Sequence, residues 1–554
     1  MTFEQAAAAV TAPGQVFEIT QADVLGRSGK VWKNSPPNLR AVFAAARAHG
    51  DKPFLVYEGE TLSFAETMAR ADALGHALVN TYGIKPGDRV AVGMRNYPEW
   101  VVAFIGAISV GAINVSLNSW WTADELDYAL KDSGASVLIC DRERLGLCQA
   151  TIAAEGIKAI VVRSGNLPLP EGVEPWDSVV HVGNALPDVD IAPDADATIL
   201  YTSGTTGRPK GAVSTHRAVV SALMAFACRG AVDGLRRPAP PDVEVLPPSF
   251  ILIVPLFHVT GCVPVMLGCL LSGAKLVIMY KWDAGKALEI IERDQITNFV
   301  GVPTQSWDLV NHPDFAKFDT SSLRSVGGGG APAPAAQVEL VAQKITKGGP
   351  QLGYGMTETN AYGPGNNGPD YLDHPTSTGK ALPIMDVLIR DENLNELPIG
   401  ERGEIWFGGP MLTRGYWGKP EATAETIVDG FLRTGDIGRF DADGFLYIED
   451  RAKDMILRGG ENVYSAEVES AIYTHSAIHE AAVFGLPHER LGEEVACALV
   501  LREGATLEPA ELRTYLAERI ASFKVPAHIF IRSEPLPRNA AGKFLKRELR
   551  DEFA

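Results

Sequence analysis

The stretch that decides the fold is the loop YTSGTTGRPKG at residues 201–211. The run TIL at residues 198–200 precedes it, so the loop follows a predicted strand. Gly204 and Gly207 allow backbone N–H groups to turn toward one anion, and the hydroxyl side chains between them add further donors. Lys210 adds a positive charge. Together these features predict a loop that binds a polyphosphate.

This loop differs from the P-loop of GTPases and motor proteins. That pattern places GKS or GKT at the start of a helix, whereas here Arg208 and Pro209 separate Gly207 from Lys210. A short strand, GAVS, follows, and Thr215 is the predicted N-cap of the next helix. A Gly/Ser/Thr cluster alone also marks an ordinary turn. The ordered Arg-Pro-Lys-Gly ending favours the phosphate-binding interpretation.

Helices and short apolar strands alternate on both sides of the loop in this chain of 554 residues. Helical stretches begin at Asn38 and Ser63, and buried strands are predicted from Arg89, Ser136, Ala159, Lys275 and Asn298. This alternation predicts an α/β fold with largely parallel sheets. The composition becomes more charged near residues 450–454. We predict a large N-terminal domain of α/β subdomains over 1–452 and a small C-terminal domain over 453–554.

Charge and cysteine usage exclude several functional classes. The net charge of -18 argues against binding nucleic acid or an anionic membrane. The six cysteines form no CxxC pair, which predicts buried reduced thiols instead of disulfides or a zinc site. The first residues lack the basic start of a secretory signal, so a cytoplasmic location is expected.

One apolar segment, which starts at Ile251, is long enough to span a bilayer. Pro255, His258, Thr260 and Pro264 interrupt it. We therefore predict a buried strand, a turn and the start of a helix here, and no transmembrane segment.

Further motifs follow in a fixed order along the chain. They are LSFAET (62–67), VGAINVSLN (110–118), PLFHVTG (255–261), GGGGAPAP (327–334), GYGMTET (353–359), RTGDIG (433–438), DRAKDMILRGGENVYSAEVE (450–469) and PRNAAGKFLKREL (537–549). With the loop at 201–211, this set resembles the adenylate-forming superfamily, which comprises acyl-CoA synthetases, adenylation domains of peptide synthetases and firefly luciferases. The resemblance covers about residues 36 to 550.

The resemblance implies an AMP-forming acid–thiol ligase that works in two half-reactions. A carboxylate attacks the α-phosphorus of ATP and releases pyrophosphate, and a thiol then attacks the acyl-adenylate and releases AMP. The first step gathers negative charge around one phosphorus, so it requires cations and oriented N–H groups. ATP, Mg²⁺ and coenzyme A are the implied cofactors and co-substrates.

The resemblance also implies roles for particular residues. Lys543 would bridge the attacking carboxylate and the α-phosphate, Thr357 would contact the α-phosphate, His258 would lie near the carboxylate, and Glu358 would hold Mg²⁺. The implied nucleotide-binding residues are Thr202, Ser203, Gly204, Thr205, Thr206, Gly207, Lys210, Gly330, Ala331, Pro332, Gly353, Tyr354, Gly355, Met356, Asp436 and Arg451. Asp436 would accept hydrogen bonds from both ribose hydroxyls.

The resemblance also implies that the small C-terminal domain over 453–554 has an α+β fold and is mobile. Lys453 falls at the hinge position, where a few backbone dihedrals would absorb the rotation between the two half-reactions. Gly459 and Gly460 would then line the passage for the thin pantetheine arm of coenzyme A.

The PLFHVTG motif bears on the acid. Amino-acid-activating relatives place an aspartate here to pair with the substrate ammonium, whereas this chain has Phe257 and His258. A buried site without a counter-charge rejects an ammonium group, so a hydrophobic fatty, aryl or arylalkanoic acid is expected. The implied acid pocket contains Phe257, Val259, Gly328 and Tyr362. Closure by Tyr362 and Trp307 would suit aryl acids, and an open tunnel would suit a long acyl chain.

Several alternatives stay open. The chain could load a separate carrier protein or be an oxygen-using relative of luciferase. A P-loop ATPase is disfavoured by the missing GKS or GKT, and an inactive binding protein by the presence of Lys543 and Glu358. No carrier domain follows Lys543, and the ending DEFA lacks a peroxisomal SKL signal, so coenzyme A is the expected thiol. A homodimer also stays open.

Overall fold

The computed structural model describes residues 1–165, 168–202, 208–238, 245–331, 333–451, 454–458, 461–539 and 543–554, with the side chains of residues 450, 451, 461 and 462 left out. Its α-helices are α1 Phe3–Val10, α2 Leu39–Ala46, α3 Phe64–Asn80, α4 Pro98–Ser109, α5 Ala123–Ser133, α6 Arg142–Glu155, α7 Trp176–Val179, α8 His216–Arg236, α9 Gly268–Ser272, α10 Ala284–Asp294, α11 Pro303–Val310, α12 Ala335–Lys344, α13 Gly368–Asp373, α14 Pro420–Thr426, α15 Ser465–Tyr473, α16 Pro509–Ala517 and α17 Lys546–Phe553. Short helical turns of other pitch are Arg47–His49, Gly261–Leu267, Phe315–Lys317, Thr357–Thr359 and Ser522–Lys524.

The strands fall into five sheets. In chain order they are β1 Ile19–Val24, β2 Arg27–Trp32, β3 Pro53–Tyr57, β4 Glu60–Ser63, β5 Arg89–Gly93, β6 Ile113–Ser116, β7 Val137–Cys140, β8 Lys158–Val161, β9 Val173–Pro175, β10 Asp196–Thr202, β11 Lys210–Thr215, β12 Ser249–Leu252, β13 Lys275–Ile278, β14 Asn298–Gly301, β15 Ser325–Gly329, β16 Gly349–Gly353, β17 Gly365–Asn367, β18 Asp386–Arg390, β19 Gly403–Gly408, β20 Gly415–Tyr416, β21 Ile427–Val428, β22 Phe431–Phe440, β23 Leu446–Arg451, β24 Ile456–Arg458, β25 Glu461–Val463, β26 Ile478–His488, β27 Gly492–Leu501 and β28 His528–Arg532.

Two largely parallel sheets form the body of the large domain, as predicted. The first has the strand order β20-β11-β10-β6-β5-β7-β8-β9, and the second β17-β16-β15-β14-β12-β13-β3-β4. Antiparallel pairing is confined to their margins, where β11 and β20 join β10, and β17 and β4 close the second sheet. The buried apolar strands β5, β7 and β8 lie in parallel register, which is typical of sheets covered on both faces.

Helix starts follow the predicted capping signals. Ser63 and Glu66 form a reciprocal capping box at α3, and the Thr215 hydroxyl accepts from the backbone N–H of Ala218 at α8. Helix α4 is buried on nearly its whole circumference, because its residues are apolar all round. A continuous core joins α4 to both large sheets, and this core holds the strand ends in fixed positions.

A third sheet was not anticipated from the sequence. Strands β18, β19, β22, β21 and β23 pair antiparallel over residues 386–451. The smaller C-terminal domain follows it, with a five-stranded sheet of β25, β24, β27, β26 and β28 and apolar cores of its own. The predicted large α/β domain with parallel sheets and the smaller C-terminal domain are therefore confirmed. The boundary between residues 452 and 453 stays a prediction, because both residues lie outside the described ranges.

The apolar segment from Ile251 is buried, as predicted. It contributes the end of β12 and then the helical turn Gly261–Leu267, which continues into α9. Within the described ranges, one helix, α8, is long and apolar enough to cross a bilayer by length and composition, and 56% of its most apolar window is buried. All six cysteines are buried and free of disulfides, which confirms the prediction of reduced thiols.

Candidate active site

A cavity of about 1410 Å³ lies where the carboxyl ends of strands from the two parallel sheets approach each other. Ser116 ends β6 and Thr202 ends β10 in the first sheet, and Gly329 ends β15 and Gly353 ends β16 in the second. All four residues line the cavity. Because ligands of parallel α/β sheets bind outside the carboxyl ends of the strands, this cavity is the candidate site.

Residues predicted from widely separated motifs meet in this cavity. Those that line it are Thr202, Lys210, Phe257, His258, Val259, Gly328, Gly330, Gly353, Tyr354, Gly355, Met356, Thr357, Glu358, Tyr362, Asp436 and Lys543. Ala331 follows directly but is not a lining residue. Ser203, Gly204, Thr205, Thr206, Gly207, Pro332, Lys453, Gly459 and Gly460 lie outside the described residues, and so does the side chain of Arg451.

Glu358 is held by a tyrosine that the sequence analysis missed. The Tyr416 hydroxyl donates to Glu358 Oε1 at 2.6 Å, and the backbone N–H of Thr413 donates to the Glu358 carbonyl at 2.8 Å. Burial raises the pKa of Tyr416, and the negative charge of Glu358 raises it further. The phenol therefore remains a hydrogen-bond donor to Glu358. The glutamate is buried, with 8% of its surface exposed, and this hydrogen bond fixes its orientation.

The same tyrosine also contacts Lys210, at the end of the predicted phosphate-binding loop. Strand β20 pairs antiparallel with β11, so that Tyr416 lies opposite Ala212. The ammonium nitrogen of Lys210 lies 5.2 Å from the centroid of the Tyr416 ring. Tyr416 thus contacts Lys210 through its ring and Glu358 through its hydroxyl.

Asp436 and Tyr354 form a second pair of predicted residues in direct contact. The Tyr354 hydroxyl donates to Asp436 Oδ2 at 2.5 Å, and the Tyr354 ring packs against Phe407 with the centroids 5.3 Å apart. Strand pairing places the backbone of Arg451 opposite Asp436. This arrangement fixes a carboxylate and an aromatic ring on one wall of the cavity.

Glycines let the central strands approach closely beside the cavity. A Cβ atom at Gly328 would collide with the carbonyl oxygen of Gly301 on the neighbouring strand. At Gly329 it would collide with the carbonyl oxygen of Gly353. Small residues are therefore needed here for the sheet itself, and they leave a flat backbone surface at the edge of the site.

Lys543 reaches the cavity on a hairpin of the small domain. The Lys543 N–H donates to Asn539 Oδ1 at 3.0 Å, and the Asn539 N–H donates to the Lys543 carbonyl at 2.9 Å. The buried carboxylate of Glu480 anchors this hairpin, because it accepts from Arg538 at 2.9 Å and from the Leu536 N–H at 2.7 Å. The lysine position is therefore set by the packing of the small domain.

The positive charge of Lys543, in the small domain, affects the protonation of His258 in the large domain. Burial lowers the pKa of His258, and the nearby ammonium of Lys543 adds to this effect, so that the pKa lies at about 4. His258 is consequently neutral near pH 7, and its Nδ1 accepts from the Thr260 N–H at 3.3 Å. The tautomer with the proton on Nε2 follows from that hydrogen bond.

Of the residues expected around the acid, four line the cavity and Trp307 does not. Phe257, Val259, Gly328 and Tyr362 line one cavity, and Tyr362 packs edge-on against Phe226 at 5.2 Å. The expectation that Trp307 helps to close this pocket is wrong. Its ring lies 4.8 Å from the guanidinium carbon of Arg502 in the small domain, because α11 directs it toward the domain interface.

Other functional candidates were missed as well. Trp120 packs edge-on against Phe257 at 5.7 Å and lines the cavity although it is 48% exposed. Phe226, Arg229 and Asp233 of α8 also line it. Their spacing is that of one helix face, so helical periodicity could have grouped them, but it does not reveal what that face contacts.

The fold and the site define a two-domain adenylate-forming enzyme. The AMP-binding enzyme family model matches residues 42–417, and the model of the AMP-binding enzyme C-terminal domain matches residues 467–543. The chain therefore belongs to the AMP-binding enzyme family. These matches confirm the predicted family. Together with relatives named as CoA ligases, they confirm the predicted enzyme class, an AMP-forming acid–thiol ligase.

Individual relatives cover nearly the whole chain. A feruloyl-CoA synthase of Amycolatopsis sp is 35% identical over 499 residues, which is 89% of this chain and 94% of the relative. A long-chain-fatty-acid–CoA ligase of Bacillus subtilis (strain 168) is 33% identical, over 91% of this chain and 92% of the relative. The crystal structure of ATP-bound MatB from Rhodopseudomonas palustris superposes with a TM-score of 0.82 at 31% identity, over 93% of this chain and 99% of that one.

Proposed function

We propose that the protein is an ATP-dependent carboxylate–CoA ligase that acts on a hydrophobic carboxylic acid through an acyl-adenylate. One observation carries the proposal. Lys543 of the small domain lines the same cavity as Thr357, Glu358 and Asp436 of the large domain. A site that combines a mobile cation with a fixed carboxylate and a nucleotide wall suits transfer of an AMP group to a carboxylate.

In the first half-reaction, the carboxylate oxygen of the acid attacks the α-phosphorus of ATP, and the bond to pyrophosphate breaks. Lys543 holds the attacking carboxylate beside the α-phosphate and compensates the charge that develops there. Thr357 donates to the α-phosphate, and Lys210 faces the departing pyrophosphate. Asp436 binds the ribose, and Tyr354 and Gly330 contact the base.

The described residues fit a single Mg²⁺ carried on the nucleotide. Within the described ranges, no group of three or more His, Cys, Asp or Glu side chains could hold a metal by itself. Mg²⁺ in such sites is held by one or two carboxylates, phosphate oxygens and water. Glu358 supplies one carboxylate, with Oε1 already bonded to Tyr416. The metal, when bound, neutralises phosphate charge.

In the second half-reaction, the thiol of coenzyme A attacks the acyl carbon and AMP leaves. Lys543 has no role in that step, so the small domain rotates about Lys453 and brings Gly459 and Gly460 to the passage of the pantetheine arm. Contacts such as Arg502 on Trp307, and Arg402 at 5.3 Å from the Tyr464 ring centroid, are exchanged in the rotation. We also place the domain boundary at residues 452 and 453 for this reason.

The lining of the acid pocket supports a substrate without an amino group. Phe257 and a neutral His258 stand where an ammonium would require a carboxylate. The Asp233 carboxylate on the α8 wall accepts a hydrogen bond from Asn367, and its negative charge helps to raise the pKa of Arg236. A hydrophobic fatty, aryl or arylalkanoic acid therefore fits best, and the cytoplasmic location stays a prediction.

Acid-dependent release of pyrophosphate tests the proposal. The purified protein is supplied with MgATP and fatty, benzoic, cinnamic or arylalkanoic acids, and pyrophosphate, AMP, ADP and thioester are measured with and without coenzyme A. We expect pyrophosphate release only with an acid, and thioester and AMP only when coenzyme A is added. Release of ADP and phosphate, or thioester formation only on an added acyl carrier protein, would contradict it.

A further inference from the structure

Asp132 lies in the last turn of α5, where the stability of the helix does not explain it. A negative charge at the carboxyl end of a helix is unfavourable, because the last carbonyl groups carry partial negative charge. The side chain is also 9% exposed, so its carboxylate requires hydrogen-bond donors. Those donors come from segments on both sides of the predicted phosphate-binding loop and from β20.

The strand that enters the loop is held by Asp132 through Tyr201. The Tyr201 hydroxyl donates to Asp132 Oδ2 at 2.9 Å, and the carbonyl oxygen of Ala129 lies farther away, at 3.2 Å. Burial raises the pKa of Tyr201, and the negative charge of Asp132 raises it further, so the phenol remains a donor. The Tyr201 ring packs edge-on against Trp121, with the centroids 5.7 Å apart. Ring and hydroxyl are therefore both fixed, directly before Thr202.

The strand that leaves the loop is held through Tyr128, one helical turn before Asp132. The Tyr128 hydroxyl lies 3.2 Å from Asp132 Oδ1 and 3.3 Å from the carbonyl oxygen of Pro209, so its one proton is shared between them. The guanidinium carbon of Arg208 lies 4.9 Å from the centroid of the same ring. Pro209 directly precedes Lys210, the first residue of β11. Both flanks of the loop thus rest on one short segment of α5.

A third donor links Asp132 to the strand that carries Tyr416. The ammonium of Lys419 donates to Asp132 Oδ1 at 3.0 Å, and the Lys419 N–H donates to the carbonyl oxygen of Tyr416 at 3.2 Å. The Trp417 N–H donates to the carbonyl oxygen of Gly211 at 2.8 Å, which ties the same turn to β11. Because Lys419 is 39% exposed, its ion pair adds little to stability. The contact fixes the position of the turn instead.

We propose that Asp132 is a positioning residue that holds the two flanks of the phosphate-binding loop, and with them Lys210, in a fixed arrangement with β20. This inference rests on the proposed function, in which Lys210 faces the departing pyrophosphate and Glu358 holds Mg²⁺. Lys210 lies on β11, and Tyr416, the donor to Glu358, lies on β20. Asp132 is not among the described residues that line the cavity, so it acts through its partners.

The affinities for ATP and AMP test this inference, because only ATP carries the phosphates that Lys210 is proposed to face. Calorimetry gives Kd for MgATP and for AMP, without acid, in the wild type and in Asp132→Ala. We expect Kd for MgATP to rise about tenfold or more and Kd for AMP to change less than about twofold. A merely structural role for Asp132 would weaken the binding of both nucleotides alike or of neither, and either result would overturn the inference.

Steady-state kinetics with an acid that the protein uses give a second readout. In Asp132→Ala, KM for MgATP in pyrophosphate release should rise about tenfold. The rate of thioester formation from supplied acyl-adenylate should stay the same, because pyrophosphate has already left before that step. Equal loss in both half-reactions would overturn the inference. Absence of acid-dependent pyrophosphate release in the wild type would instead contradict the proposed function, and the ratio of the two affinities would still test the role of Asp132.

Asp72→Ala is the matched control. It removes a carboxylate of α3 that forms an ion pair with Arg47 at 2.6 Å, away from the loop and from β20. The loss of one ion pair is thus common to both variants, and only the connection to the loop differs. Asp72→Ala should leave the ratio of the affinities for MgATP and AMP unchanged. A similar change of this ratio in both variants would overturn the inference.

Two donor variants decide the question should Asp132→Ala fail to fold. Lys419→Met and Tyr201→Phe each remove one donor and leave the carboxylate in place. Each should raise Kd for MgATP relative to AMP about threefold. Asp132→Asn keeps one acceptor oxygen and should fall between these variants and Asp132→Ala. An unchanged ratio in folded Asp132→Ala, or in both donor variants, would overturn the inference.

Discussion

The hydroxyl of Tyr416 donates to Glu358 Oε1 at 2.6 Å while the ring of the same tyrosine faces the ammonium of Lys210. This contact joins β20 to the turn Thr357–Thr359 and to the end of the phosphate loop. It fixes one carboxylate oxygen of Glu358, so that the orientation of the other oxygen is set before a ligand enters the cavity.

Tyr416→Phe should therefore impair adenylation without removing the ring. We expect a fall of about tenfold in kcat for acid-dependent pyrophosphate release, since one charge-assisted hydrogen bond is lost, and a higher Mg²⁺ concentration at half-maximal rate. The rate of thioester formation from supplied acyl-adenylate should not change. Tyr447→Phe, which removes a hydroxyl bonded to His374 outside the cavity, is the matched control. An unaltered Mg²⁺ dependence in Tyr416→Phe would show that this hydroxyl does not position Glu358.

Lys543→Ala should separate the two half-reactions. Loss of the ammonium at the α-phosphate is expected to lower adenylation by about a hundredfold or more, while thioester formation from supplied acyl-adenylate is largely retained. Arg547→Ala removes the same charge from a side chain that is 76% exposed four residues later and should affect neither step. Equal loss of both half-reactions in Lys543→Ala would contradict the assigned role.

Asp436→Ala should weaken nucleotide binding specifically. The change removes the proposed acceptor for the ribose hydroxyls and the partner of the Tyr354 hydroxyl, so we expect KM for ATP to rise about tenfold or more and KM for the acid to change little. Tyr354→Phe should give a smaller rise in KM for ATP. Steady-state kinetics with each substrate varied in turn check this, and a change confined to KM for the acid would be the opposite of the expected result.

The buried His216 should make folding depend on pH. Burial lowers its pKa to about 4 in the folded protein, whereas an unfolded histidine has a pKa of about 6.5. Between these values only the unfolded state takes up the proton. The free energy of unfolding therefore has its full value above about pH 6.5 and falls as the pH drops toward 4, by at most about 3 kcal/mol from this residue.

Calorimetry of His216→Gln at pH 5 and pH 7 checks this effect. Glutamine retains an acceptor for the Leu39 N–H, to which His216 Nδ1 is bonded at 3.2 Å. The variant should lose less thermal stability between pH 7 and pH 5 than the wild type does. The exposed His181→Gln should behave like the wild type. Equal pH dependence in all three proteins would rule out His216 as the source.

Local patterns predicted much of the fold. The runs that become β5, β7, β8, β13 and β14 are short, apolar and separated by helices, and the parallel α/β arrangement follows from that alternation. The capping box at Ser63 and the N-cap at Thr215 likewise lie within four residues of the groups they bind. Such features depend on neighbours in sequence, so they are visible in it.

Local sequence patterns could not predict the contacts between segments that are distant in the chain. Tyr416 is 58 residues from Glu358, and their contact depends on the pairing of β20 with β11. The antiparallel third sheet, likewise, was not distinguished from the alternation before it. Trp307 was considered for the acid pocket because an aromatic side chain would suit an aryl acid, but the sequence does not show which side of α11 meets the small domain.

In the proposed mechanism, both domains enclose one acyl-adenylate. A crystal structure with a non-hydrolysable analogue of the adenylate of an acid that the protein uses tests this most directly. We predict the nucleotide in contact with Thr357 and Asp436, the acyl group between Tyr362 and the α8 wall, and the ammonium of Lys543 on the linkage between them. A nucleotide bound away from Asp436, or an acyl group outside the cavity, would contradict the account.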